Sequence, residues 1–405
     1  MISESSPHRA PQIVARRFAS RLSMFYGTVF GSGGVYLPFF PVWLKAIGID
    51  PAWIGLIIGT PALTRFTTLP FVTSLAERRH ALRAAMIASA FLTAAGFAAL
   101  GLLRDPFAVL IVFVLTACVW TPMTALTDGY ALKGVVRYGL DYGPLRLWGS
   151  AAFVVGALIC GALVDVIAPQ HLIWVIVAAM ALGAAVSLGL QPLGVPSGDG
   201  APLSKATALL RDRGFLTIAA SSALIQGSHA GYYTFASITW QAAGYGGLTI
   251  AVLWALGVLA EIVVFALSPR FALRPATLVM IGGISALLRW GLTAQALPLP
   301  ALAVLQGLHG LTFGITQVGI MALMLQHVPP HVMARAQGYL AACTGLVMSS
   351  AAMLSGVVYA RYGGGVYYLM AALGLAGATV MWCGRHRAGQ RPGAGDQPHS
   401  AASGG

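Results

Sequence analysis

Apolar residues in this chain follow neither the strict alternation of a half-buried strand nor the two-faced periodicity of a surface helix. They come in long, nearly unbroken runs, split by short polar interruptions that carry most of the Lys and Arg. A helix rises about 1.5 Å per residue, so about 20 apolar residues cross the roughly 30 Å hydrocarbon core of a bilayer. Measured against that length, the first half holds six spans, at about 22–44, 52–76, 84–103, 106–128, 146–167 and 171–191. The second half holds six more, at about 215–240, 247–268, 276–296, 300–326, 334–360 and 365–383. The roughly ten-residue alternating segments of a membrane β-barrel do not occur. The pattern predicts an all-α membrane protein with twelve transmembrane helices in two six-helix bundles.

Composition narrows the class further. Of 405 residues 58% are apolar and only 9% charged, and the mean hydropathy is +0.79; soluble domains are about 25% charged. That excludes a soluble enzyme, a nucleic-acid binder and a disordered scaffold. The net charge of +13 is a topology signal. With the N-terminus inside, the inner loops and tails hold 19 Lys and Arg and the outer loops hold 3, Lys45, Arg104 and Arg361. Arg65 and Arg289 lie within spans and complete the 24. The positive-inside rule then puts both termini in the cytoplasm of a cell whose inner membrane holds the chain. The four cysteines lie singly in apolar runs, as small buried hydrophobes rather than metal ligands or a disulfide framework.

The longest polar interruption, 192–214, is rich in Pro, Gly and Ser and reads as a cytoplasmic linker between bundles 22–191 and 215–383. Residues 1–21 form a cytoplasmic N-terminal tail, and the Gly- and Pro-rich stretch 384–405 is expected to be a disordered cytoplasmic tail. Arg79-His80-Ala81-Leu82-Arg83 after the second span is echoed by Arg270-Phe271-Ala272-Leu273-Arg274 after the eighth. Parallel six-helix repeats recur in transporters, with the substrate near the midplane.

Ionisable groups inside a span are costly, so they mark cavities and partners. Arg65, His229, Glu261 and Arg289 each lie about fourteen residues into their spans and His309 about nine, near the midplane at about 1.5 Å per residue. They read either as a water-filled cavity, where Glu261 takes a proton and an Arg holds an anionic or hydroxylated solute, or as a structural Glu261–Arg289 pair joining spans eight and nine. Asp128 and Arg146 read from hydropathy as charges at the edges of spans four and five. Tyr26, Tyr36, Trp148, Tyr232, Tyr233, Trp240 and Trp290 could stack on a ring-bearing solute or serve as packing and interface residues.

Over 20–383 the sequence resembles the major facilitator superfamily. Leu75-Ala76-Glu77-Arg78-Arg79 is similar to its loop signature after the second span, with the usual Gly missing and Glu77 in place of Asp. Tyr36-Leu37-Pro38-Phe39-Phe40-Pro41-Val42-Trp43-Leu44 and Tyr142-Gly143-Pro144-Leu145-Arg146-Leu147-Trp148-Gly149-Ser150 resemble the branch that contains lactose permease. That resemblance implies sugar-site roles for Asp128 and Arg146 and coupling roles for Glu261, Arg289 and His309. Three residues after His309, where that branch carries a carboxylate, stands Thr312. Ser228-His229-Ala230-Gly231-Tyr232-Tyr233, the run Trp254–Glu261, Leu288-Arg289-Trp290 and the run Leu308–Gly314 are similar to the phenylpropionate permease family. The implied solute is an aromatic carboxylate, which suits three Arg, namely Arg65, Arg146 and Arg289, among few acids, since guanidinium binds carboxylate in a bidentate fork.

The expectation is a monomeric, non-enzymatic secondary transporter that imports a small organic solute with protons, without cofactor, metal or nucleic acid. Asp128, Arg146, Trp148, Tyr36, His229, Tyr232, Tyr233 and Arg289 are the candidate solute contacts, and Glu261, His309 and Arg289 the candidate coupling groups. A sugar or nucleoside symporter, a drug-efflux pump of the same fold and a non-transporting membrane sensor are the rivals.

Overall fold

The computed structural model describes residues 9–79, 81–140, 142–193, 207–295, 297–329 and 332–389. Most of the expected linker, residues 1–8 and 390–405 of the two expected tails, and His80 lie outside these, as do the side chains of Arg65, Glu77, Arg78 and Arg146, whereas 384–388 of the tail expected to be disordered continue α15. Among the described residues every regular element is helical. The helices are α1 (Arg9–Ala46), α2 (Pro51–Arg78), α3 (Leu82–Gly101), α4 (Pro106–Trp120), α5 (Met123–Tyr138), α6 (Tyr142–Val164), α7 (Leu172–Ser187) and α8 (Arg213–Gly227). They continue with α9 (Ala230–Ala242), α10 (Gly247–Leu267), α11 (Pro275–Thr293), α12 (Leu299–Gly307), α13 (Thr316–His327), α14 (Met333–Tyr362) and α15 (Val366–Ala388).

Three spans are interrupted. The fourth is α4 followed by α5, the seventh is α8 followed by α9, and the tenth runs from α12 through a π-helical turn, Gly310–Ile315, into α13. Counted this way, the described residues form twelve helical segments in the predicted order. Seven stretches are long and apolar enough to cross a bilayer, and one of them, Arg335–Ala388, turns at Gly363–Gly365 and supplies two segments. The ends differ from expectation, because hydropathy marks the hydrocarbon core while a helix can run on into water. α1 starts at Arg9, well before the expected tail ends. The fourth span continues to Tyr138, so Asp128 sits within α5 rather than at its edge. Gly139, left-handed at φ 62°, ends that helix and returns its N–H to the Val135 carbonyl.

Acidic side chains start several helices. Asp50 accepts the Ala52 and Trp53 N–H groups at 2.9 and 3.2 Å, and Asp105 accepts from Ala108 at 2.8 Å. Each is followed by Pro at the first helical position, where the missing N–H costs nothing. Asp212 caps α8 through Phe215 N–H at 2.6 Å.

By contacts the chain forms two compact units, Met1–Ser197 with Ala230–Val258 and Ser349–Val366, and Gly198–His229 with Leu259–Met348 and Tyr367–Gly405. In the first, α1 and α6 cross with their backbones touching. A Cβ on Gly34 would collide with the Phe153 carbonyl, and one on Gly31 would stand 3.4 Å from the Ala152 oxygen. Small residues at such spacing let membrane helices close on each other without a hydrophobic driving force. Phe18, Leu22, Phe25, Met86, Leu126 and Tyr130 fill the adjoining core. At one end, Arg21 donates to the Gly189 carbonyl at 3.0 Å, Arg83 to that of Leu190 at 2.6 Å, and Tyr130 to that of Gln191 at 2.6 Å. These side chains pin the stretch just past the end of α7 by occupying its backbone carbonyls. In the second unit, Phe215, Ile218, Val279, Ile320, Leu323 and Met381 make the core.

Candidate functional site

The seventh span breaks where side chains compete for its backbone. Ser228 Oγ donates to the Ile225 carbonyl at 2.6 Å, and His229 Nδ1 lies 3.2 Å from the carbonyls of both Ile225 and Gln226. Polar side chains that take up i−3 and i−4 carbonyls weaken the helix ladder and bend it. The result is that His229, fully buried, turns Nε2 toward Thr312 Oγ1 at 3.1 Å.

The tenth span opens at the matching place. Its π turn begins directly after His309, a distortion that concentrates at functional sites. Gly310 lets this turn lie against α10: a Cβ there would stand 2.6 Å from the Ala260 carbonyl, and one on Gly314 would stand 3.8 Å from Glu261 Cα. The close approach sets His309 Nε2 3.7 Å from Glu261 Oε2.

Arg289, fully buried on α11, joins the two breaks. Its Nη1 donates to His309 Nδ1 at 2.9 Å and to Thr312 Oγ1 at 3.2 Å, and its Nη2 donates to Gln306 Oε1 at 3.0 Å. The guanidinium carbon also lies 4.4 Å from the centre of the Trp290 ring, a cation–π contact. Trp290 in turn donates to Ser228 Oγ at 3.0 Å. Donor and acceptor roles follow from chemistry. Guanidinium only donates, so Nδ1 of His309 accepts and its proton sits on Nε2, facing Glu261. His229 Nδ1 faces two carbonyls and therefore donates, which leaves Nε2 to accept the Thr312 hydroxyl proton. The Glu261 side chain retains 23% of its exposure, against 8% for His309, so it is the member of this chain with most access to water.

The candidate residues of the first unit are spread over several places. Asp128 Oδ1 accepts the Tyr26 hydroxyl at 2.6 Å, from α1 to α5. Trp148, 63% exposed, lines with Ser20, Ser23, Met24 and Gly27 a groove of about 700 Å³ between α1 and α6, within the size range of small-molecule sites. Arg146 precedes it by two residues on α6. Tyr36 is buried in a ring cluster with Phe40, Phe97, Phe113 and Trp120, at centroid distances of 5.1, 5.7, 6.3 and 4.6 Å. Tyr232 and Tyr233 pack on Trp254 at 4.7 and 6.0 Å, and Trp254 donates to Ser237 Oγ at 3.0 Å. Among the described residues no three His, Cys, Asp or Glu side chains are placed to hold a metal ion.

Sequence reasoning placed Glu261, Arg289, His309 and His229 on the map because ionisable groups stand out in apolar runs. Gln306 it missed, and Thr312 it noted only as a missing carboxylate. Neutral polar side chains are cheap to bury when bonded, so they leave a fainter trace. A scan for mid-span amides would have found Gln306, Gln226 and Gln317.

The sequence model of the MFS_1 like family matches residues 19–370. A protein of Escherichia coli (strain K12) described as a probable 3-phenylpropionic acid transporter is 32% identical over 360 residues, 87% of this chain and 94% of its own. A crystal structure of the nucleoside transporter NupG superposes with a TM-score of 0.79 at 16% identity, covering 91% of this chain and 99% of that one. A bacterial homolog of the human lysosomal transporter Spinster superposes with a TM-score of 0.70 at 13% identity, over 94% and 98% of the two chains. These relatives are transporters, not enzymes.

Proposed function

The chain belongs to the MFS_1 like family of membrane transporters, and on that premise we propose that it imports a small aromatic carboxylate, such as 3-phenylpropionate, together with protons by alternating access. The observation that carries this reading is the placing of Arg289, His309 and Glu261 in series, the guanidinium bonded to His309 Nδ1 and Glu261 Oε2 facing Nε2 at 3.7 Å. A proton taken by Glu261 removes the negative charge opposite the His309 Nε2–H. Because His309 holds Arg289 through its other nitrogen, the change reaches the guanidinium directly. Thr312 occupies the place of the carboxylate expected in the lactose-permease branch, so Glu261 is the carboxylate this network offers for the proton.

The aromatic-acid solute is supported by the relative that matches most of this chain and by the chemistry of the first unit. The groove of about 700 Å³ beside Trp148 offers a ring face for stacking, and Arg146 on the same helix supplies a guanidinium for the carboxylate. The aromatic cluster of Tyr232, Tyr233 and Trp254 and the Asp128–Tyr26 pair complete the set of candidate contacts. With 19 of the 24 basic residues assigned to inner loops and tails, both termini lie in the cytoplasm, and 22–191 and 215–383 are the two halves of the carrier in the inner membrane.

Uptake of radiolabelled 3-phenylpropionate into proteoliposomes under an inward proton gradient tests the reading. The expected result is an initial rate of uptake above that of protein-free liposomes, which a protonophore abolishes and excess aryl carboxylates compete away. Competition by a disaccharide or a nucleoside, with none by aryl carboxylates, would replace the solute. Solute-driven movement in the direction opposite to protons would make the carrier an exporter.

A further inference from the structure

Asp50, Asp105 and Asp212 each cap the helix that follows them in sequence. Asp165 does something different. It lies just past the end of α6, yet its Oδ1 accepts the Gly247 N–H at 2.6 Å and its Oδ2 the Leu248 N–H at 3.2 Å, the first two amides of α10. A carboxylate from the fifth span thus caps a helix of the eighth. The cap closes a seam in which the two backbones touch. A Cβ on Gly161 would stand 2.6 Å from the Gly247 carbonyl and 2.5 Å from Ala251 Cβ. A second seam of the same kind joins α2 and α14: a Cβ on Gly55 would stand 2.6 Å from the Ala352 carbonyl, and Ser349 Oγ donates to the Gly59 carbonyl at 2.5 Å. All of these residues belong to the first compact unit, although α10 and α14 come from the second six-span half of the sequence.

On the proposed topology the loops 165–171 and 243–246 face outward. Alternating access requires that the solute path open to that side at one stage of the cycle and shut at another. We propose that Asp165 is the positioning residue for the shut stage, a carboxylate latch that holds α10 to α6 at the outer end. The chemistry suits a latch. The glycine seam supplies close packing without directional bonds, so it parts and re-forms easily. The carboxylate adds two charge-assisted hydrogen bonds and the pull of a helix N-terminus, which exist only when the seam is closed. When α10 moves away, water takes over the carboxylate and the amides, so the open stage is not penalised by a buried charge. The proposal rests on the chain being an alternating-access carrier, but it does not depend on the solute.

The test reads outward accessibility without any solute. Ala251, fully buried on the α10 face toward Gly161, is replaced by Cys in a chain whose four native cysteines are removed. Right-side-out vesicles are then treated with a membrane-impermeant maleimide. With Asp165 intact, labelling is slow; Asp165→Asn and Asp165→Ala raise its rate on the order of tenfold, the range of a lost helix cap, and Asp165→Glu returns it toward the starting value. Leu248→Pro removes one of the two donors at a helix position that tolerates Pro, and raises labelling by a smaller factor without altering Asp165. Monodisperse elution of each variant in detergent shows that it folds. An unchanged rate in both Asp165→Ala and Leu248→Pro, or an increase seen only in inside-out vesicles, overturns the latch. Faster labelling together with no 3-phenylpropionate uptake by the unmodified protein would sink the proposed solute and leave the latch standing.

Discussion

Replacing Glu261 by Gln removes one charge and almost no volume. The amide keeps the shape that the π turn packs against, with Gly314 facing the Glu261 Cα, so the backbone approach that positions His309 is preserved. What is lost is the acceptor for a proton opposite His309 Nε2, now 3.7 Å from the carboxylate. For a monoanionic solute carried with one proton the cycle moves no net charge. The membrane potential then does no work, and the pH difference alone sets the limit. One unit of pH is worth about 1.36 kcal/mol, a tenfold ratio. Proteoliposomes clamped at zero potential with a one-unit gradient, inside alkaline, should therefore reach on the order of tenfold accumulation through the unmodified protein. The neutral form of an aryl carboxylic acid crosses lipid unaided, so initial rates above protein-free liposomes are the quantity to compare. Glu261→Gln should lose gradient-driven uptake entirely while exchange of labelled for unlabelled solute across preloaded vesicles continues. If the variant still accumulates solute with the gradient dependence of the parent, the proton does not ride on Glu261, and the path through His309 is structural.

Other substitutions probe the rest of the network. Thr312→Val is nearly isosteric but leaves Arg289 Nη1 and His229 Nε2 each short of a bond in a fully buried setting. With about 1–3 kcal/mol for a buried group left unsatisfied, reduced toward the lower values seen in membranes, kcat/KM for uptake should fall about tenfold, and Thr312→Ser should restore it. Gly34→Val forces a side chain into the Phe153 carbonyl; a fluorescent fusion should show the variant failing to reach the membrane in folded form, whereas Gly48→Val, in open space though at positive φ, should be far milder. Burial pushes the Asp212 carboxyl up, but the Phe215 N–H and His327, 2.6 Å away, hold it net below the usual carboxylate range. A depressed folded value gives stability that is present above the unfolded carboxylate value and lost as pH falls through the folded one. Thermal melts in detergent should therefore show a fall on acidification below about pH 4 that Asp212→Asn flattens; an unchanged pH profile in that variant would remove the clasp from the account.

The spans were legible because membrane insertion is a local property of sequence: a run of apolar residues long enough to cross lipid reads the same wherever it stands. Helix ends were less legible, since hydrophobicity does not report where backbone bonding stops. α5 shows the cost. It runs ten residues past Asp128 through Lys133 and Arg137, charges at which the hydropathy pattern stops but the helix does not. The charged members of the network were visible for the reason they are expensive. Their arrangement was not, because it depends on two backbone breaks that no proline announces. The break at Ser228–His229 follows from side chains bonding to the preceding turn, and the π turn at Gly310–Ile315 follows from its contact with α10. The structural pair anticipated between Glu261 and Arg289 takes a longer route, with His309 bonded to one and facing the other.

The π turn also changes how the tenth span is numbered in space. An extra residue in one helical turn rotates everything beyond it by about a quarter of a revolution relative to what precedes it. Gln306 and His309 are therefore set to one phase, and Thr316 through His327 to another. Deleting a single residue between 311 and 315 would leave the stretch as apolar and as helical as before. It would nonetheless swing the amide and the imidazole off the guanidinium they hold, much as a gear that skips one tooth still turns but no longer meshes.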